Sequence, residues 1–151
     1  MQITVGPELR GQIADGQAPR SARRELVIFA RVFDLLEWLV PKGESFPRGF
    51  RHTVTARLLG AALDLPELLY RAHARRGRPR LAALAETDAA LNTLRLYLRL
   101  AHRWHWLNDG QYEHVSKLVA EIGRLLGGWI RQEQRALAQG LPPGQGKPQG
   151  Q

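Results

Sequence analysis

Apolar residues recur every three or four positions in four successive blocks of the chain, a period that predicts amphipathic helices. In the first block, about 21–40, Leu26, Phe29, Phe33, Leu36 and Val40 form the stripe, and Val27, Val32, Leu35, Trp38 and Leu39 widen it. Ser21 stands where an N-cap is expected, and Pro41, Lys42 and Gly43 mark the end. The second block starts near Pro47 and runs to about Arg76, with Phe50, Val54, Leu58, Ala61, Leu65 and Leu68 on one face. Pro66 lies inside it, removes an amide donor and predicts a kink. Gly77 and Pro79 separate it from a third block over about 80–106, where Leu84, Leu91, Leu94, Leu98 and Ala101 keep the helical step. The segment LRLYLRLAHR (94–103) alternates locally, but the helical period holds across some twenty residues around it. The fourth block starts at Asn108 or Asp109, either a good N-cap, and runs to about 138 through Val115, Leu118, Val119, Ile122, Leu125, Leu126, Trp129 and Ile130. No segment shows sustained β-branched alternation between turns, so the fold class is all-α.

Stripes this wide need partners, and four helices with short connections meet that need as an antiparallel up-down-up-down four-helix bundle. The bundle domain is placed at 21–138. Residues 1–20 carry no apolar period and read as a flexible arm. Residues 139–151 form a Gly/Pro/Gln tail too poor in apolar side chains to offset its chain entropy. Some apolar residues exceed what one bundle needs: Leu96, Tyr97 and Leu100 on the third helix, and Leu125, Leu126, Trp129 and Ile130 on the fourth. Core burial accounts for part of this surplus and subunit contact for the rest. Gly123 and Gly127 share a face inside the fourth helix, where each glycine costs about 1 kcal/mol against alanine. Close approach of helices, within or between subunits, is the reason to keep them.

Charge changes the picture next. The net charge is +8, and nineteen of the 22 basic residues are arginine. Such a balance marks nucleic-acid binding when it gathers on one face, and otherwise reflects a soluble helical protein rich in arginine. Arg95, Arg99 and Arg103 advance about 40° per step and form one slanted ridge. No acidic residue lies three or four positions from any of them, so the ridge lacks the partners of a solvated salt-bridged face. It suits a phosphate backbone or an acidic protein surface, or else three arginines whose stems lie along the bundle. Arg71, Arg75, Arg76, Arg78 and Arg80 crowd the junction of helices two and three, with His73 among them. Their mutual repulsion favours a polyanion, or they form a charged loop that maintains solubility. Arg48, Arg51 and His52 make a smaller patch at a helix start, where the dipole disfavours cations. Lys117, Arg124 and Arg131 are partly compensated by Glu113 and Glu121.

Candidate chemistry is sparse. The chain has no cysteine, which excludes disulfides and thiol catalysis. His102 and His105 lack a nearby third ligand, so no metal or other cofactor is expected. Trp104 and Trp106 suit base stacking or packing at a helix end. Ser21, Ser45 and Ser116 lack a base and an orienting group, so no enzyme is expected. No apolar stretch is long enough for a transmembrane helix, and no signal peptide is evident, so a cytoplasmic location is expected.

The segments FPRGFRHTVTARLLGAALDLPELLYRA (46–72), LNTLRLYLRLA (91–101) and HVSKLVAEIGRLLGGWIRQ (114–132) resemble the accessory variability determinant (Avd) family of diversity-generating retroelements. More distantly, the chain is similar to four-helix-bundle proteins encoded within ribosomal-RNA intervening sequences. The Avd resemblance implies a bundle that assembles as a barrel-like homopentamer with a basic surface. It implies a non-enzymatic accessory factor that binds the element's reverse transcriptase and template RNA and supports mutagenic retrohoming. Arg95 and Arg99 match the family's basic pair; Arg103 and the cluster at 71–80 match in character. Gly123, Gly127 and Trp129 become the expected oligomer-packing positions. Five copies at +8 would carry about +40, a field able to steer a polyanion. The other class left open is a protein–protein scaffold whose basic face meets an acidic protein without nucleic acid.

Overall fold

The computed structural model describes residues 19–140, and over them the chain forms four long helices and one short 3-10 turn. The helices are α1 (Arg20–Glu44), α2 (Val54–Ala74), α3 (Gly77–Arg103) and α4 (Asp109–Ala138). No strand occurs among the described residues. Each helix packs on its neighbours in chain order, and α1 also packs on α4, closing the ring around one apolar core. Contacts join the start of one helix to the later part of another: Glu25 with His73, Arg57 with Tyr97, and Arg24 with the Gly128 carbonyl and the Gln132 side chain. The expected arm and tail lie outside the described residues apart from their bundle-side ends.

The core seam of α3 is the predicted one: Leu84, Leu91, Leu94, Leu98 and Ala101 are all buried. α4 buries Val115, Val119, Ile122, Leu125, Leu126 and Trp129. In α1 the seam is rotated from the predicted stripe. Ile28, Val32, Leu35 and Leu39 face the core, while Leu26 and Phe33 are exposed. The apolar arc of α1 is wide enough to hold two stripes, and packing against both α2 and α4 selects the one between them.

Helix ends also differ from expectation. α1 begins after Pro19, which makes no side-chain cap bond, and Ser21 lies inside the helix. It continues through Pro41 to Glu44; Pro41 is exposed in the last turns, so the loss is one backbone bond. Pro47 opens a 3-10 turn (Arg48–Phe50) rather than α2, which starts at Val54. α3 starts three residues earlier than predicted, because Pro79 falls in the first turn, where an amide donor has no helical partner. It stops at Arg103 because His105 adopts φ 61° and the Trp106 N–H donates to the Ala101 carbonyl at 2.9 Å. That is a Schellman closure with histidine at the position usually held by glycine. Two residues later Asn108 and Gln111 form a reciprocal capping box that starts α4. Buried Phe46 and Leu107 close this end of the core.

Candidate nucleic-acid interface

The α3 ridge is exposed as the spacing predicts. Arg95, Arg99 and Arg103 all lie on the surface. Arg95 Nη1 donates to Asn92 Oδ1 at 2.8 Å, a neutral acceptor that holds the guanidinium without cancelling its charge. Among the described residues Arg99 and Arg103 form no ion pair.

Arg95 lies along α4 at Gly123. A Cβ on Gly123 would collide with Arg95 Nη2, so within the protomer this glycine makes room for a guanidinium. Beside it, Arg95, Arg99, Leu98, Tyr112, Ser116 and Ala120 line a depression of about 180 Å3 between α3 and α4. A wider recess of about 500 Å3 shares Tyr112, Ser116 and Ala120 with it and adds His102, Asp109, Glu113 and Lys117, with Lys117 paired to Glu113 at 3.1 Å. His102 stacks on Tyr112 with ring centres 4.2 Å apart, and its Nε2 lies 2.7 Å from Asp109 Oδ1. The smaller depression thus carries Arg95 and Arg99 on its α3 side, while the wider recess balances its cations with two carboxylates. Further round α4, Arg124 is hydrogen-bonded to Glu121, which holds that carboxyl below its ordinary pKa.

The cluster at 71–80 divides. Arg75, Arg76 and Arg78 are exposed, with no ion pair among the described residues. Arg71 lies 3.6 Å from Glu86, both half-exposed. Arg80 departs from the expected binding role. Its guanidinium is mostly buried, 3.3 Å from Glu133 and over the Trp129 ring at 5.7 Å. Its Nε and Nη2 donate to the Ala72 and His73 carbonyls, at 2.9 and 3.4 Å, at the end of α2, where the Ala72 carbonyl also accepts from the Arg75 N–H. Glu133 accepts from the Gly77 N–H at 2.9 Å, where α3 starts with φ 66°. Arg80 and Glu133 therefore build the turn. The signal for Glu133 is a carboxylate on the core stripe of α4, continuing Ile122, Leu126 and Trp129. A buried acid at that register requires a basic partner.

The expected packing residues also resolve. Trp129 is buried inside the protomer beneath Arg80, not on a subunit face. A Cβ on Gly127 would approach Arg131 at 3.3 Å, so Gly127, like Gly123, borders an arginine of its own chain. Leu125 and Leu126 are buried in the core, while Leu96 on α3 is exposed. Further exposed apolar residues lie on α1 and α2. Leu26 and Phe33 flank Phe29, which meets His73; Leu63 and Tyr70 follow Leu59, which fills the space beside Gly43.

The family profile of the bAvd-like proteins matches residues 26–133. The chain belongs to the bAvd-like family. That match spans all four helices, including the LR-aromatic-LR segment and Gly123. A solved structure of similar fold is a protein of unknown function from the S23 ribosomal protein family of Bacteroides thetaiotaomicron, 16% identical with a TM-score of 0.66. The alignment covers 72% of this chain and 98% of that one, which establishes a shared fold. No curated protein matches the sequence. The bAvd-like assignment points to an accessory protein of a retroelement. No helix among the described residues is long and apolar enough to cross a membrane.

Proposed function

We propose that this protein is a non-enzymatic accessory factor of a diversity-generating retroelement that holds the reverse transcriptase and its template RNA through a basic surface. The observation that carries this reading is the α3 ridge, three exposed arginines with no carboxylate partner on a chain of net charge +8. Unpaired guanidiniums in a row replace counterions along a phosphate backbone and position it without reading bases. Arg71, Arg75, Arg76 and Arg78 extend this surface at the other end of α3. Arg80 does not belong to it, because Glu133 holds its charge inside the fold.

In this reading the helices form an antiparallel up-down bundle that assembles as a homopentamer. Leu26, Phe33, Leu63 and Tyr70 supply the apolar contact between copies, because exposed apolar residues on one packed pair of helices mark an interaction face. The ridge, on α3, stays clear of that seam.

The test is reconstitution with the reverse transcriptase and template RNA of a retroelement found to carry this gene. Wild-type protein retains both on an affinity column at physiological salt. Arg95→Ala with Arg99→Ala retains neither, while light scattering and helicity remain those of the wild type. A double variant with native retention contradicts the reading. Retention of an acidic protein partner in the absence of RNA, unaffected by salt, supports the scaffold reading instead.

A further inference from the structure

The end of the bundle where α3 passes into α4 carries rings as well as cations. Phe46 is buried and packs on Trp106, with ring centres 5.4 Å apart. Trp106 in turn meets Phe50 and Trp104, each at 5.2 Å. Phe50 and Trp104 are 45% and 46% exposed, so two rings of a connected cluster stand open to solvent. Two unusual backbone features put them there. The 3-10 turn carries Phe50 out of the seam of α2, and the left-handed His105 turns the chain between the two tryptophans. Positive φ is uncommon for histidine and persists when its surroundings require it.

The groups around these rings have a consistent sign. Arg48, Arg51, His52, Arg103 and His105 are exposed, and no ion pair engages them among the described residues. Glu44 and Asp109 are the nearby carboxylates in sequence, and Asp109 is directed to His102. Trp104 follows Arg103 directly and lies about 7 Å along the axis from Arg99. The arginine ridge therefore leads into the exposed rings.

We propose that Phe50 and Trp104 form a stacking platform for an unpaired nucleobase, with Arg48, Arg51 and Arg103 holding the adjoining phosphates. This inference rests on the nucleic-acid role of the ridge and adds a preference for single strands. Aromatic faces accept any base, and duplex bases are already stacked on one another, so the platform discriminates by strandedness rather than by sequence. The charge at this end selects a polyanion over an apolar protein helix.

The experiment compares a twelve-nucleotide oligouridylate, a twelve-nucleotide oligothymidylate and a twelve-base-pair RNA duplex, titrated into full-length protein at one salt concentration. The variants are Trp104→Ala and Phe50→Ala, both at half-exposed positions, with helicity checked for each. Wild-type protein is expected to bind the single strands more tightly than the duplex and to lose tryptophan fluorescence on binding them. Each substitution is expected to weaken single-strand binding about tenfold and leave duplex binding unchanged. Unchanged single-strand affinity in both variants, with Arg95→Ala and Arg99→Ala still weakening all three ligands, overturns the platform and leaves the ridge standing. Equal weakening of duplex and single strand in the ring variants also overturns it. Failure of wild-type protein to bind any of the three removes both.

Discussion

The two ends of α3 are both crowded with arginine, yet they handle charge in opposite ways. At its start, Arg80 is drawn inward to Glu133, and the same carboxylate accepts the first amide of the helix. The cation there closes a turn. At its other end the turn is closed without any cation, by the left-handed His105 and the Asn108–Gln111 capping box. Arg99 and Arg103 are left with nothing to neutralise, and Arg95 is held by a neutral amide. At the start of α3 one arginine, Arg80, is taken up in closing the turn, while Arg75, Arg76 and Arg78 beside it stay exposed.

The largest effect is expected at the closed end. Glu133→Ala leaves the buried Arg80 guanidinium without its counter-charge and the Gly77 amide without its acceptor, and should lower unfolding free energy by about 3–5 kcal/mol, measured by urea denaturation. A loss of under 1 kcal/mol would remove the contrast. At the open end the closure is a local cap, and Asn108→Ala should cost about 1 kcal/mol in the same measurement. Gly123→Ala separates stability from binding. Alanine adds up to about 1 kcal/mol of helix propensity, but its Cβ must displace the Arg95 guanidinium. Denaturation should show equal or greater stability, while RNA titrations across salt should give a slope shallower by about 0.7–0.9, one phosphate contact fewer. The smallest effect is at Arg71, whose ion pair with Glu86 is half-exposed. Arg71→Ala should change stability by less than about 0.5 kcal/mol.

The sequence made one end of α3 legible and hid the other for the same reason. A scan of positions three and four away finds partners on the same helix, and for the ridge there are none in space either. For Arg80 the partner is 53 residues away, and only the fold brings it close. α3 announced its core because Leu84, Leu91, Leu94 and Leu98 keep one helical step across the helix, despite the local alternation at Leu96 and Leu100. α1 did not, because its apolar arc spans two stripes and the choice belongs to the helices on either side. The end of α3 was hidden because a left-handed turn is expected at glycine or asparagine, and here histidine takes it. Four helices and the arginine ridge could be read directly; the roles of Glu133, Gly123 and the rings at 104–106 needed the packing of the bundle.

The most direct test of the account is the salt dependence of RNA binding by wild-type protein and by Arg95→Ala/Arg99→Ala, at matched helicity and assembly. The prediction is weaker binding by the double variant and a plot of log affinity against log salt that is shallower by about 1.4–1.8, the loss of two phosphate contacts. Superimposable affinities and slopes would contradict it.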